Sequence, residues 1–269
     1  MSGLKELRTR IGTTKTIRQV TSAMKMVSAA KLKRAQDTVI HFRPYTRNFE
    51  NMMNSVIAGS DNLNELVYTA PRNPDKVLVV LISSNRGLCG GFNSSVTKSA
   101  VELVHSKYKK QYKNKNVSFL AIGKQGEILL KSHKFKVIGN KNDLFDQLNF
   151  NNTSALASQI INDYCQGTYD RVELVYNEFI NAAQYQQRRE TFLPIQFDQN
   201  KTVTGDAIFE PSKLEILDEM VPLALKTLFY KAMIYSFAAE HGARMTAMHQ
   251  ATDNATELLG DLSLQYNKA

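Results

Sequence analysis

The sequence has no tryptophan, only two cysteines, and few prolines and glycines for its 269 residues. Cys89 and Cys165 are too far apart in the sequence to indicate a disulfide framework, so we expect a reducing compartment. The sparse Pro and Gly exclude a collagen-like chain and give no sign of a low-complexity segment. There is no run of 18 apolar residues and no apolar signal-peptide region, so we predict neither a membrane span nor a secretory leader.

Motifs for catalysis and metal binding are also lacking. Of the five dispersed histidines, His241 and His249 lie on one predicted helix, but their spacing is too wide for a metal-binding i, i+4 pair. The sequence contains no H-E-x-x-H, paired C-x-x-C or G-x-S-x-G motif, and Cys89 has no neighbouring base that would activate its thiol. We therefore predict no catalytic residue, no metal site and no cofactor.

Positive charge is abundant but unevenly distributed. The net charge is +9, and residues 1–50 carry eleven Lys or Arg residues against three acidic ones. Such a basic segment predicts an acidic partner, which could be nucleic acid, anionic lipid or an acidic protein surface. The basic residues at 25–34 alternate with apolar residues and do not line an aromatic groove, which disfavours nucleic acid. A solvated helix face is the plain alternative.

Both ends of the chain have the pattern of a long helix. Apolar residues recur every three or four positions from Leu4 to Val27, apart from one gap of six where Thr14 falls between Ile11 and Ile17. No proline occurs before Pro44, where a helix over 2–57 could bend. The same narrow seam continues from Leu214 to Tyr266, and its part at 235–255 is rich in small residues, mostly Ala, which lets two helix axes approach closely. We predict an antiparallel coiled coil, with two ordinary core helices as the alternative.

The middle of the chain alternates apolar strand patterns with helical ones, which predicts a mostly parallel sheet with helices on both faces. The predicted strands are 76–83, 117–123, 135–138, 171–179 and 189–196, the helices are 92–113, 125–132 and 154–165, and the polar loops are 140–153 and 199–205.

The fold class is therefore α/β, with a Rossmann-like middle domain and a long coiled coil. The predicted division is an N-terminal helix 1–58, a linker 59–75, the α/β domain 76–200, a loop 201–211 and a C-terminal helix 212–269. A helix of this length extends about 80 Å at ~1.5 Å per residue. A compact domain of the predicted size is roughly 35 Å across. Half or more of the coil must therefore project, and a projecting coil needs a partner.

The segment Ser83–Gly91 follows the first strand, where Gly-rich loops often cradle phosphates. Its spacing is not G-x-G-x-x-G, and it lacks the G-K-[ST] of a Walker loop. We therefore predict that Arg86, Gly87, Gly90 and Gly91 form a tight structural turn, with phosphate binding as the less favoured alternative.

Four segments resemble the gamma subunit of F-type ATP synthases, in the right order along nearly the whole chain. They are AMKMVSAAK at 23–31, RGLCGG at 86–91, FEP at 209–211 and EHGARMTAMHQATDN at 240–254. Phe209 stands where the family commonly has tyrosine, and the cysteine-bearing insertion of chloroplast members is lacking. The family pattern continues past residue 269 with a helical tail, so the resemblance assigns no contacts to that tip.

The resemblance implies a central rotor shaft without catalytic activity of its own. Its partners would be the alpha and beta subunits of the catalytic ring, the epsilon subunit and the c-subunit membrane ring, with no nucleic acid. The expected location is the cytoplasmic face of a bacterial inner membrane, or the matrix side in mitochondria. Two other classes stay open: a nucleotide-binding α/β enzyme with helical oligomerisation arms, and a coiled-coil nucleic-acid binder.

By resemblance, two sets of residues would contact the partners. The catalytic-subunit contacts are Met24, Lys25, Met26, Arg244 and Gln250. The contacts to the epsilon subunit and membrane ring are Phe209 and Glu210.

Overall fold

The computed structural model describes residues 2–57, 67–70, 72–195 and 213–268. Their elements, in chain order, are α1 (Ser2–Ile57), β1 (Val77–Ile82), α2 (Phe92–Lys107), α3 (Lys109–Lys113), β2 (Val117–Ile122), α4 (Lys124–Ser132), β3 (Val137–Asn140), a 3₁₀ turn (Asn142–Phe145), α5 (Phe150–Cys165), β4 (Arg171–Asn181), β5 (Gln184–Leu193) and α6 (Lys213–Lys268).

The two terminal helices pair in opposite directions. Thr252 Oγ1 donates to Thr21 Oγ1 over 2.9 Å, and Lys231 Nζ lies 3.7 Å from a Glu50 carboxylate oxygen. Because the residue number rises on α1 as it falls on α6, the pairing is antiparallel. The structure confirms the predicted coiled coil, and each helix continues through its internal proline.

The central sheet has the strand order β3-β2-β1-β4-β5. Strands β1, β2, β3 and β4 run parallel, and β5 returns antiparallel beside β4. The mostly parallel sheet is as predicted. Strands β1 and β2 are buried along their whole length, which explains why their sequences are almost entirely apolar, with Ser118 as the exception.

Several predicted boundaries were wrong, among them that of β3, which was predicted at 135–138 and spans Val137–Asn140. The fifth strand was expected at 189–196 but begins at Gln184, because a polar strand at the sheet edge has no apolar pattern to announce it. The predicted helix 92–113 is interrupted at Tyr108. The predicted loop 140–153 holds the 3₁₀ turn and the start of α5, where the Asn149 side chain caps the helix by accepting from Asn152 N.

Helices cover both faces of the sheet, as predicted, and α6 itself forms part of one layer. Val79 on β1 packs on one side in a core shared with α2 and α4. Val80 faces the other side, in a core shared with α5, α6 and α1. The coil and the α/β domain are therefore joined by one continuous apolar core.

Helix α6 crosses the sheet lengthwise and then leaves it. Its Phe229 ring lies 5.7 Å from Phe192, which is close to the amino ends of the parallel strands. Further along, Gly242 lies against the backbone of Ala182, just beyond the carboxyl end of β4. The coil projects from this carboxyl end of the sheet.

Candidate functional site

The projecting part of the coil consists of residues 3–31 of α1 and 249–268 of α6, and we call it the outer coil. Its seam is narrow, with Thr14, Ser28, Ala255 and Leu262 buried between the helices. Many of its large apolar side chains face solvent instead: Leu4, Ile17, Val20, Met26, Val27, Leu258, Leu264 and Tyr266. A projecting segment that exposes this many large apolar side chains is a candidate surface for a partner.

The two helices of the outer coil carry opposite charge. The α1 side presents exposed basic residues, namely Lys5, Arg8, Arg10, Lys15 and Lys31. The α6 side presents exposed acidic residues, namely Asp253, Glu257 and Asp261. The coil is therefore electrically asymmetric in cross-section, and a partner on one side meets a different surface from a partner on the other.

The predicted contact residues fall in different environments. Met26 is 63% exposed, while Met24 and Lys25 beside it are half-buried. Gln250 is exposed at the base of the outer coil. Arg244 is buried, so the structure offers a partner only a small part of this side chain.

Arg244 ties the loop after β1 to α6. Its Nη2 donates to the Arg86 carbonyl over 3.0 Å, and its Nε donates to the Gly87 carbonyl over 3.3 Å. Its Nη1 forms a 2.7 Å ion pair with Glu240 one helical turn earlier. These bonds hold the loop at the point where the coil leaves the domain, a role that the sequence did not reveal.

Glu240 and His241 have perturbed protonation in this cluster. Burial raises the pKa of the Glu240 carboxyl, although Arg244 opposes the shift. Burial, with Arg244 and Lys31 adding to it, lowers the pKa of His241 to about 3, so the ring is neutral at physiological pH.

The hydrogen bonds of His241 fix where its proton lies. Arg244 Nη1 can only donate, and it lies 3.3 Å from His241 Nδ1, so the proton of the neutral ring is on Nε2. This buried Nε2 has no hydrogen-bond partner within the described residues.

A cleft of about 420 Å³ lies between the loop, α1 and α6. Met24, Lys31, Arg86 and His241 are among its lining residues. The structure thus brings Met24 and Arg244 to one cleft, while Gln250 lies outside it on the coil.

The loop itself is closed by internal bonds. Ser84 N donates to Asn93 Oδ1 over 3.0 Å, and Ser84 Oγ donates to the Arg86 carbonyl over 2.7 Å. Positive φ occurs at Gly90 (57°) and, unexpectedly, at Leu88 (60°). Cys89 is buried, and burial raises its pKa, which is the opposite of what an activated nucleophile needs.

Phe209 and Glu210 lie outside the described residues. In the ranges that the structure describes, no group of three or more His, Cys, Asp or Glu side chains is arranged to hold a metal ion. Within those same ranges, no helix has both the length and the apolarity to cross a bilayer.

The chain is similar to known proteins over its whole length. A family model described as ATP synthase matches residues 3–269. The ATP synthase gamma chain of Christiangramia forsetii is 45% identical over 270 residues, which cover 100% of this chain and 93% of that protein. The gamma chain of Flavobacterium johnsoniae is 47% identical over 272 residues, with the same coverage of both chains.

Solved structures agree with these relatives. A chain from the central stalk and c-ring of the Tetrahymena thermophila mitochondrial ATP synthase is 27% identical, with a TM-score of 0.61, covering 86% of this chain and 99% of that one. A chain from the rotor of the Euglena gracilis enzyme shares the fold at 18% identity, with a TM-score of 0.67 and coverage of 99% and 97%. By its matching family model and full-length relatives, the chain belongs to the ATP synthase gamma chain family.

Proposed function

We propose that this chain is the central rotor shaft of a proton-translocating ATP synthase. The observation that carries the proposal is the outer coil, which projects from the α/β domain with exposed apolar side chains and unlike charges on its two helices. The names of the relatives, and the central stalk to which one structural neighbour belongs, support it.

The asymmetry of the coil supplies the mechanism. A ring of alpha and beta subunits around the outer coil meets a basic face, an acidic face and apolar patches at different angles. Each catalytic site favours the conformation that makes the best contact with the face in front of it. When the c-subunit ring turns the shaft, these preferences move from site to site, which couples rotation to ATP synthesis.

Specific contacts follow from this arrangement. Met24, Lys25 and Met26 meet acidic segments of the catalytic subunits, supported by the exposure of Met26 and the basic charge of α1. Gln250 meets the ring from the α6 side. The exposed edge of Arg244 borders the same contact, and its main task is to hold the loop after β1.

At the other end of the shaft, Phe209 and Glu210 contact the epsilon subunit and the c-ring. The chain lies peripherally on the cytoplasmic face of the bacterial inner membrane. Its similarity to bacterial gamma chains supports this location over the matrix side of a mitochondrion.

The chain has no catalytic site of its own, and the turn at Arg86, Gly87, Gly90 and Gly91 is structural. Support comes from the loop carbonyls of Arg86 and Gly87, which already accept hydrogen bonds from Arg244.

Co-purification and hydrolysis test the proposal together. A tagged copy from detergent-solubilised membranes is expected to bring down alpha, beta, epsilon and c subunits, while the purified chain alone hydrolyses no ATP and gives no heat on titration with ATP. Robust turnover by the isolated chain, or recovery of nucleic acid in place of ring subunits, would contradict it.

A further inference from the structure

A second basic surface lies on the α/β domain, far from the outer coil. We call it the amino-edge surface. Its members are the exposed residues Lys109, Lys110, Lys113, Lys115, Lys134 and Lys136. Neither residues 103–116 nor residues 130–137 contain an Asp or a Glu, so this charge is not balanced within its own segments.

Ring and backbone contacts bring the two segments together. The Tyr112 ring on α3 lies 5.2 Å from Phe135, which is flanked by Lys134 and Lys136. The carbonyl of Lys136 accepts a hydrogen bond from Phe119 N over 2.8 Å, near the amino end of β2. The lysines therefore form one continuous surface at the amino ends of the parallel strands.

Two neighbouring lysines form ion pairs with acidic side chains, whereas these six do not. Lys107 Nζ pairs with the buried Glu173 over 2.8 Å, and Lys131 Nζ pairs with Glu127 over 2.7 Å. Within the described residues, none of the six forms an ion pair or a side-chain hydrogen bond. The nearest exposed acids along the chain are Glu102, whose carboxylate pairs with Arg189, and Asp143, which follows β3 at the carboxyl end of the sheet. A strong positive surplus remains.

The surface lies at the opposite end of the molecule from the outer coil. Helix α6 passes Phe192 near the amino ends of the strands before it reaches Ala182 near the carboxyl ends and projects beyond. If the proposed rotor function holds, the ring encloses the projecting end. The amino-edge surface then faces the membrane.

We propose that the amino-edge surface binds an anionic lipid bilayer. Lysine side chains near a membrane surface attract acidic headgroups without needing a fixed geometry. A protein partner is the less favoured occupant, because protein interfaces are depleted in Lys and enriched in Arg and aromatic residues. The six cations are all Lys, and the nearby Tyr112 and Phe135 rings are used against each other. This inference rests on the proposed rotor function for its orientation.

A local fluorescent probe tests the binding. The full chain carries Cys165→Ser and Asn114→Cys, labelled with an environment-sensitive dye between Lys113 and Lys115. Vesicles of phosphatidylcholine with phosphatidylglycerol are expected to change its emission, whereas vesicles of phosphatidylcholine alone are not. Replacing the six lysines with Gln is expected to weaken the affinity for the anionic vesicles, read from a lipid titration of the emission, by about fivefold per lysine.

A matched variant controls for net charge. It replaces six exposed cations of α1 with Gln: Lys5, Arg8, Arg10, Lys15, Arg34 and Arg47. This variant has the same net charge as the amino-edge variant and is expected to keep the response at Asn114. Equal loss in both variants, or no response to anionic vesicles, overturns the proposal.

The same amino-edge variant separates lipid from protein. If it keeps the vesicle response but no longer binds the purified c-ring, the surface meets a protein and the lipid proposal is wrong. The vesicle measurement does not need an assembled ring. A failure of the rotor function would appear separately, as loss of co-purification with alpha and beta subunits in the unmodified chain.

Discussion

At the scale of single residues, the base of the coil depends on a buried cluster of Arg244, Glu240 and His241. The ion pair between Arg244 and Glu240 is 2.7 Å long, and both side chains are buried. Removing one partner from such a pair leaves an uncompensated buried charge, which is strongly destabilising. The Glu240 carboxylate therefore keeps Arg244 in place, and Arg244 in turn holds the loop after β1 against α6 through the Arg86 and Gly87 carbonyls.

His241 makes the stability of this cluster depend on pH. Its pKa in the folded chain is about 3, below the ordinary value of 6.5. Between these two pH values the unfolded chain binds a proton at His241 and the folded chain does not. Stability is therefore lost as pH falls below the unfolded pKa. Between about pH 7 and about pH 5 this group alone lowers the free energy of unfolding by about 2 kcal/mol.

Replacing His241 with Gln removes that proton uptake and keeps a side chain that can accept from Arg244. In urea titrations, we expect the unfolding free energy of the natural chain to fall more steeply in acid than that of H241Q. Glu240, whose raised pKa acts in the opposite sense, is present in both proteins and cancels to first order. Parallel curves for the two proteins would show that His241 is not buried as described.

The sequence could indicate some of these residues and not others. Arg244 stood out by resemblance, but its internal bonds to Arg86 and Gly87 did not, because they join positions about 157 residues apart in the chain. The closure of the loop by Asn93 was equally hidden. Hydrogen bonds between distant segments leave no periodic pattern in a sequence.

At the scale of elements, small residues in α6 allow two different close contacts, one with α1 and one, at Gly242, with the α/β domain. The Ala- and Gly-rich seam predicted a close approach of the two helices, and Ala238 and Ala239 are indeed buried. Gly242 instead faces the hairpin between β4 and β5, where an added Cβ would lie 2.9 Å from the Ala182 carbonyl oxygen. Because Gly242 has no side chain, α6 can pack closely against this hairpin of the α/β domain.

Two glycine substitutions in α6 are expected to have opposite effects. Gly242→Ala forces the hairpin away, and its overpacking cost exceeds the gain in helix propensity, so stability falls by about 1–2 kcal/mol. Gly260→Ala, with nothing within 4 Å of the new Cβ, raises stability by about 1 kcal/mol. Thermal unfolding measures both, and a stabilised G242A would refute the close contact.

The elements that were predictable share one physical property. Helices α1 and α6 have a sustained seam, and β1 and β2 are buried on both faces, so apolar spacing alone identifies them. Strand β5 is mostly polar and at least partly exposed as far as Thr191, before the buried Phe192 and Leu193, and over that length it is held by hydrogen bonds to β4 rather than by burial. Its early start could not be found from hydrophobic pattern.

At the scale of the whole molecule, the cleft at the base of the coil links the shaft surface to the domain. Met24 lines this cleft together with Lys31 and Arg86. We expect Met24→Lys to impair coupling more than assembly, because it adds a further cation beside Lys25 where the ring is proposed to make its lever contact. Proton pumping measured against ATP hydrolysis in membranes shows the effect as a lowered ratio.

A matched control is Ile128→Lys, which adds the same charge at an apolar side chain that is 50% exposed on α4 of the α/β domain. This variant is expected to keep the normal ratio of pumping to hydrolysis. If pumping and hydrolysis in M24K fall together, in proportion to the amount of complex, the contact is assigned to the wrong residues.

The central claim is that the whole molecule turns as one shaft inside a ring. Cys165 is exposed on the α/β domain and Cys89 is buried, so a visible probe can be attached at Cys165. With the alpha and beta subunits fixed to a surface and ATP supplied, we predict stepwise rotation of the probe in one direction. ATP hydrolysis by that complex with a stationary probe would contradict the account.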